Sequence, residues 1–271
     1  WQEPEIVAQN LVKEWGEAGL IWLDGDGSQL GRWITIAVDP KEEICCRGLP
    51  FEKNTSNPFE CLRNLKSGHW TGWLSYEAGA WLEPNNPWKT NEFSTLWLAS
   101  HDPIFTFDLK KKQLWLEGCN KTRFDNIRKW LTSLPLQAIE EDLKQTEVIP
   151  LSSWKWLGSK VDYANQVKII KEWIKSGDIF QANLATSCTT HLPENHSILI
   201  TYLKLRKYSP APFSGLLIGD KAAKNEIIMS VSPERFLKVS PNGEVETRPI
   251  KGTRPRDSDL RKDSAMAIEL I

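Results

Sequence analysis

The sequence predicts a fold built on antiparallel sheet with several amphipathic helices. Short runs rich in apolar and aromatic residues recur between turn-forming residues, as in the strands of an antiparallel sheet. Longer segments repeat their apolar residues at helical spacing. The 271 residues are 40% hydrophobic and 25% charged, which suits one large domain or two smaller ones.

The first half of the chain carries most of the predicted strands. Helices are predicted at 5–17, 58–66 and 122–134. Strands are predicted at 20–23, 32–38, 70–76, 96–99, 104–107 and 113–116. Four of the 14 tryptophans, Trp70, Trp73, Trp97 and Trp115, fall on these strands. We interpret them as core residues, since packing is the commoner role of a strand tryptophan than ligand stacking.

Helices and strands alternate in the second half. Asp162 is predicted to cap a helix that Gly177 ends, and a second helix covers 196–207. Strands are predicted at 178–189, 226–231, 236–239 and 244–248, and a further strand follows Pro212 and ends at Ile218. A hairpin turn is predicted at 240–243. Residues 135–155 are polar and aperiodic, so we place the regions at 1–135 and 158–271 with a connection at 136–157.

Composition excludes several classes of function. A formal net charge of −1 argues against general nucleic-acid binding, and no apolar run is long enough to span a membrane. The N-terminus lacks the cationic start and apolar stretch of a signal peptide. Five scattered cysteines form no CxxC pair, which is typical of a reducing compartment such as the cytoplasm. Without an initiator Met, the chain is expected to be part of a longer protein.

The segment from Glu246 to Arg256 concentrates positive charge and contains two prolines, Pro249 and Pro255. Arg248, Lys251, Arg254 and Arg256 would repel one another unless they face an anion or several carboxylates. The prolines disfavour helix, and Gly252 allows a backbone conformation that a side chain would hinder. The segment is either a solvated basic loop or a stiff element that presents Lys251 to a ligand.

Glu234 is expected to lie near Lys251. A turn centred at 241–242 would place Glu234 roughly opposite Pro249, at one end of a hairpin. The two residues are then either a structural ion pair or an acid and a nucleophile. A nucleophilic lysine must be neutral, and the neighbouring arginines would lower its pKa by repulsion.

Other catalytic patterns lack support. The four histidines are scattered, and none has the spacing of a metal site with Cys or Asp. Neither a phosphate-binding glycine motif nor a GxSxG motif occurs.

Three segments together resemble the chorismate-utilising enzymes, which include anthranilate synthase component I and aminodeoxychorismate synthase component I. They are Gly177-Asp178-Ile179-Phe180-Gln181-Ala182-Asn183-Leu184, Ser232-Pro233-Glu234-Arg235-Phe236 and Arg248-Pro249-Ile250-Lys251-Gly252-Thr253-Arg254-Pro255-Arg256. Residues 1–135 resemble the N-terminal region of that family, and 158–271 resemble the first part of its chorismate-binding domain. The resemblance implies an α+β fold with two lobes of antiparallel sheet packed face to face and helices outside.

Two positions discriminate between branches of the family. Anthranilate synthases carry alanine where Lys251 stands, and isochorismate synthases carry a lysine where Gln181 stands. The combination therefore resembles the aminodeoxychorismate synthase branch, which serves folate synthesis through 4-aminobenzoate. The alternatives are the anthranilate branch with an unusual lysine, and a non-catalytic binding fragment.

The resemblance also implies a mechanism. Lys251 would attack chorismate while Glu234 acts as general acid, and ammonia from a glutamine amidotransferase partner would then replace the lysine. Thr253, Gly252 and Gln181 would contact the substrate. Magnesium would be held by glutamates beyond the end of this sequence, so the 271 residues alone are expected to be inactive or nearly so.

Overall fold

The structure, a computed structural model, describes residues 1–89, 91–134, 149–194, 196–250, 252 and 254–270. The chain forms two compact units. The larger combines Trp1–Ile139 with Tyr202–Ile271, and the smaller is Glu140–Thr201. This division differs from the predicted boundary at 136–157, because strands from both predicted regions share one sheet.

The helices and strands follow the predicted order in most of the chain. The helices are α1 (Pro4–Trp15), α2 (Pro58–Arg63), α3 (Lys121–Ser133), α4 (Lys160–Ser176), α5 (Ile198–Tyr208) and α6 (Leu260–Glu269). The strands are β1 (Ile21–Asp24), β2 (Trp33–Ala37), β3 (Glu42–Cys46), β4 (Trp70–Leu74), β5 (Leu96–Ser100), β6 (Ile104–Asp108), β7 (Gln113–Glu117), β8 (Lys155–Trp156), β9 (Cys188–Thr189), β10 (Phe213–Ile218), β11 (Ile227–Ser232), β12 (Lys238–Val239) and β13 (Val245–Glu246).

A six-stranded antiparallel sheet organises the larger unit. Its strand order is β11-β10-β1-β2-β6-β7, so β10 and β11 extend a sheet begun by the N-terminal strands. The register pairs Trp22 with Leu216 on one side and with Ile36 on the other. All three side chains are fully buried, which fixes the register because a slip by one residue would expose them.

A three-stranded antiparallel sheet, in the order β3-β5-β4, shares its core with the larger sheet. Trp73 and Trp97 of the smaller sheet stack with ring centroids 4.5 Å apart. They belong to one buried cluster with Ile21, Ile104 and Leu217 of the larger sheet. The predicted α+β fold with packed antiparallel sheets is confirmed. Trp115, by contrast, lies partly exposed on β7, so the prediction of a core role is wrong for this tryptophan.

Local sequence signals explain where the helices begin. Pro4 opens α1, and the apolar stripe of Ile6, Val7 and Leu11 is buried. Asn57 and Asn120 cap α2 and α3 by accepting hydrogen bonds from Phe59 N and Arg123 N. No helix among the described residues is long and apolar enough to cross a membrane.

The smaller unit contains α4 and the two-residue ladder of β8 with β9. Ser159, and not Asp162, is the residue at the N-cap of α4. Asp162 instead completes a capping box, in which its carboxylate accepts from Ser159 N and its own N–H donates to Ser159 Oγ. Gly177 ends the helix in the left-handed conformation, as predicted.

The long strand predicted at 178–189 is wrong. Only Cys188 and Thr189 join a ladder, and residues 181–187 have no regular secondary structure. A strand requires a paired neighbour along its length, and none of the described strands forms a ladder with 181–187. Most of the predicted connection at 136–157 lies outside the described residues, apart from 149–157.

Candidate functional site

The predicted site residues fall in both units of the chain. Glu234 follows β11 in the larger unit, and its side chain is exposed. Gly252 is also exposed in that unit, whereas Gln181 lies in the smaller unit, exposed, after α4. Lys251 and Thr253 lie outside the described residues. The assignment of these five residues to a site therefore stays a prediction.

A tight turn carries Glu234 away from β11. The Ser232 hydroxyl donates to the Glu234 carbonyl at 2.9 Å and accepts from Glu234 N at 3.3 Å. The Glu234 carboxyl forms no hydrogen bond or ion pair with any described residue. The carboxyl group is therefore exposed and accessible to a ligand.

The hairpin of β12 and β13 connects Glu234 with the cationic segment. Its register pairs Lys238 with Glu246, and continuing that register would place Glu234 opposite Ile250, one residue from the predicted partner. The ladder itself stops at the Lys238–Glu246 pair. Beyond it, the Thr247 hydroxyl donates to the Phe236 carbonyl at 2.9 Å, and Arg235 forms an ion pair with Glu246. Side-chain bonds thus hold the two segments together where the ladder ends.

Each arginine of the cationic segment has a carboxylate partner. Arg248 binds Glu246 at 2.8 Å, on the strand that precedes it. The other two partners lie on α6: Arg254 binds Glu269 at 2.9 Å, and Arg256 makes a two-point contact with Asp263 at 2.6 and 2.8 Å. The sequence required an anion or several carboxylates here, and the structure supplies carboxylates.

These pairs change the electrostatic argument for Lys251. Hydrogen bonds from Arg248 and Arg235 hold the pKa of Glu246 below its ordinary value, and the bond from Arg256 does the same for Asp263. The carboxylates therefore stay ionised and offset the charges of the arginines. The repulsion expected at Lys251 from these arginines is weaker than that from unpaired cations.

Gly252 is a position at which the backbone requires glycine. Its φ is +80°, in the left-handed region, and a Cβ built there would lie 3.1 Å from Leu270 Cδ2. The segment next to Lys251 thus folds back toward the C-terminal end of α6. The sequence indicated the unusual backbone but not the contact with α6.

Gln181 begins the irregular stretch after α4. The helix ends with the Ser176 hydroxyl donating to Asp178 Oδ2 at 2.5 Å and Gly177 in the left-handed conformation. The Gln181 side chain is exposed, which fits a residue available to a ligand and equally fits a solvated loop.

The described residues offer no metal site. No group of three or more His, Cys, Asp and Glu side chains in this part of the chain is arranged to hold a metal ion. The expected magnesium therefore has no fitting ligand set here. The position of its ligands beyond residue 271 remains a prediction.

A buried ionic cluster was missed by the sequence analysis. Arg206 Nε donates to Asp24 Oδ2 at 2.6 Å, Tyr202 Oη donates to the same oxygen at 3.0 Å, and Arg206 also pairs with Glu5. Burial and the Asp24 carboxylate raise the pKa of Tyr202 above its ordinary value. Tyr202 and Arg206 are four residues apart on one face of α5, the only sequence signal of a shared partner.

A cavity of about 220 Å³ opens beside this cluster. It is lined by Asp24, Gly25, Asp26, Leu109, Arg206, Pro210, Ala211 and Ser214. The Asp24 carboxylate and the Arg206 guanidinium are already paired with each other, so this buried pair connects β1 to α5.

The sheet order and packing define the structural class. The chain has the fold of the crystal structure of anthranilate synthase component I from Streptococcus pneumoniae TIGR4, with a TM-score of 0.64 and 18% identity. The similarity covers 88% of this chain and 56% of that one.

The chain belongs to the family of chorismate binding enzymes, whose sequence model matches residues 22–271. It is 35% identical over 143 residues to aminodeoxychorismate synthase component 1 of Escherichia coli (strain K12). The matched segment covers 53% of this chain and 29% of that protein. The chain is 31% identical over 212 residues to the protein of the same name from Bacillus subtilis (strain 168), covering 74% and 43%.

A third relative is named after anthranilate synthase instead. An anthranilate synthase component I-like protein of Synechocystis sp. is 28% identical over 210 residues, covering 75% of this chain and 40% of that protein. The chain thus spans less than half the length of these three relatives.

Proposed function

We propose that the protein to which these residues belong aminates chorismate to 4-amino-4-deoxychorismate. The observation that carries the proposal is Lys251 within the Pro249–Thr253 segment of a chorismate binding enzyme. Relatives named aminodeoxychorismate synthase support it. Ammonia would come from a glutamine amidotransferase subunit or domain, and the product would enter 4-aminobenzoate and folate synthesis.

The proposed reaction uses Lys251 as a nucleophile and Glu234 as general acid. The neutral Nζ of Lys251 attacks C2 of chorismate, the ring double bonds shift, and the C4 hydroxyl leaves as water with a proton from Glu234. Ammonia then adds at C4, the electrons return, and the bond between C2 and Nζ breaks. The absence of a bond from the Glu234 carboxyl to any described residue is compatible with proton transfer to a substrate.

The nucleophile must lose its proton before it reacts. Since the arginines next to it in the sequence are paired with carboxylates, their repulsion alone does not explain a neutral amine. The proposal therefore requires that burial of Lys251 in the assembled site lowers its pKa. Gly252, Thr253 and Gln181 would contact the substrate around it.

The decisive experiment is intact mass spectrometry after incubation with chorismate and magnesium but without ammonia. The experiment uses a longer chain that includes these 271 residues and is as long as the relatives. The same chain carrying Lys251→Ala is treated in parallel. Lys238→Ala, on the neighbouring strand β12, is the matched control. We expect an adduct of chorismate less water that is lost in Lys251→Ala and kept in Lys238→Ala.

The alternative is an anthranilate synthase, which the name of the Synechocystis relative supports. Anthranilate formed without any adduct once ammonia is added would establish that alternative. Neither adduct nor product would favour a binding function.

An assay of chorismate turnover with the 271-residue chain alone tests whether activity requires the additional residues of the longer protein. We expect little or no turnover, because the resemblance to the family places the magnesium ligands beyond residue 271. Steady consumption of chorismate by this chain with ammonia and magnesium would contradict that expectation.

A further inference from the structure

Two cysteine thiols of the larger unit are in direct contact. Cys46 is the last residue of β3, Cys61 lies in α2, and their Sγ atoms are 3.2 Å apart. Neither residue belongs to the candidate site described above. Cys46 is 1% exposed, whereas Cys61 is only partly buried, so Cys61 is the more accessible residue of the two.

Packing on both sides holds the thiols in this contact. Cys46 forms a buried cluster with Leu96 and Leu98, and Cys61, Leu62 and Leu65 of the α2 region pack against it. The Asn57 side chain caps α2 by accepting from Phe59 N at 2.9 Å, which fixes the start of the helix. The contact is therefore set by a strand and a capped helix, and not by two mobile loops.

The separation is short for two sulfurs that are not bonded. A disulfide bond is about 2.0 Å long, so the two Sγ atoms need to approach by roughly 1 Å to reach it. The inert alternative is a pair of core thiols that only fill space. That alternative requires neither the contact between the thiols nor the partial access of Cys61.

We propose that Cys46 and Cys61 are an oxidation site, at which a reversible disulfide joins β3 to α2 when the protein meets a low-molecular-weight disulfide. The reaction has two exchange steps. The Cys61 thiolate attacks one sulfur of the small disulfide, forming a mixed disulfide and releasing one small thiolate, which takes up the proton that Cys61 lost. Cys46 then attacks Cys61 Sγ and expels the second small thiolate, which takes up the proton from Cys46.

The balance is complete without any further reagent. The two protein thiols lose two electrons and two protons in total, and the small disulfide is reduced to two small thiols. Cys61 reacts first because it is the less buried residue of the two. Burial raises the pKa of Cys46 to about 11, so its thiolate is scarce at neutral pH and the second step is the slower one.

The other cysteines provide internal controls. Cys45 precedes Cys46 on β3, so its side chain points to the opposite face, where it packs against the cluster that contains Trp73. Cys119 is exposed, and Cys188 lies in the smaller unit. No other pair of thiols among the described residues forms such a contact.

The test titrates the protein with oxidised and reduced glutathione, blocks free thiols with an alkylating reagent, and maps the peptides without reduction. We expect a peptide that links Cys46 to Cys61 in the wild type and in Cys45→Ser, and its loss after treatment with dithiothreitol. Cys61→Ser should form no cross-link. Cys46→Ser should accumulate glutathione on Cys61.

Three results would overturn the proposal. They are glutathione that stays on Cys61 of the wild type, a cross-link that involves another cysteine, and complete alkylation of both thiols at every glutathione ratio. Peptide mapping of the wild type decides between them even if a variant fails to fold.

Discussion

Arg206 binds the carboxylate of Asp24 through two nitrogens, at 2.6 and 3.2 Å, although 182 residues separate them. The bond joins α5 to the end of β1, and the Asp24 side chain is almost fully buried. A carboxylate removed from water in this way depends on its partners. The pair therefore connects the two distant parts of the chain that form the larger unit.

Loss of Arg206 is expected to destabilise the protein strongly. Arg206→Met keeps most of the apolar stem but leaves Asp24 with Tyr202 as its one side-chain donor among the described residues, so the free energy of unfolding should fall by about 3 kcal/mol. Urea denaturation measures the change. Arg63→Met removes an exposed pair with Glu60 and should cost less than about 1 kcal/mol. Equal effects of the two substitutions would contradict the importance of burial.

The buried tryptophan of β5 is expected to matter far more than an exposed one. Trp97 is 0% exposed, stacks on Trp73 and donates from Nε1 to Glu43 at 2.8 Å. Trp97→Ala should reduce the free energy of unfolding by about 4 kcal/mol. Trp33, on β2, is 52% exposed, so Trp33→Ala should cost about 1 kcal/mol or less. Thermal and urea unfolding of both variants provide the comparison.

His101 should make stability depend on pH. Burial lowers its pKa from 6.5 to about 4, and its Nε2 lies 2.8 Å from the Gly19 carbonyl oxygen. Between these two pKa values the unfolded chain binds more protons than the folded one. The free energy of unfolding should therefore fall, by up to about 3 kcal/mol, as pH decreases from about 6.5 to about 4.

Unfolding of wild type and His101→Gln across this range checks the prediction. The variant should lose less stability on acidification, since it lacks the group that must become charged. His69 is exposed, and His69→Gln should show the wild-type pH profile. Parallel profiles for all three proteins would rule out His101 as the cause.

If Glu234 is the general acid, replacing it should slow the formation of the adduct at Lys251. Glu234→Gln cannot donate a carboxylic proton to the leaving hydroxyl, so the rate of adduct formation at Lys251 should fall by about 10²-fold or more. Rapid-quench mass spectrometry of the longer protein measures this rate. Glu244→Gln alters an exposed carboxyl in the β12–β13 turn and should react at the wild-type rate. If Glu234→Gln matches it, another group protonates the hydroxyl.

Local signals made most elements predictable. Apolar spacing placed α1 and α3 within two residues of their observed ends, and Gly177 ended α4 as expected. The hairpin turn at 240–243 was also correct, with Gly243 at φ +85°. These features depend on neighbours a few residues apart, which a sequence displays directly.

Elements that depend on distant partners were less predictable. Strand β3 was not predicted, because Glu42 and Glu43 interrupt its apolar pattern, yet it pairs with β5 along its whole length. The strand at 178–189 was predicted from composition, and most of it has no neighbour among the described strands. Pairing, and not residue preference, decides whether such segments become strands.

Most helices and turns, and the motifs that assign the family, were predictable because they depend on residues close together in the chain. The three-dimensional fold was needed to show that β10 joins β1, that Arg206 pairs with Asp24, and that carboxylates on β13 and α6 pair with Arg248, Arg254 and Arg256. Charge balance is a sum over neighbours in space. The cations in the sequence therefore show where positive charge accumulates, and the fold determines how much of that charge is left unpaired.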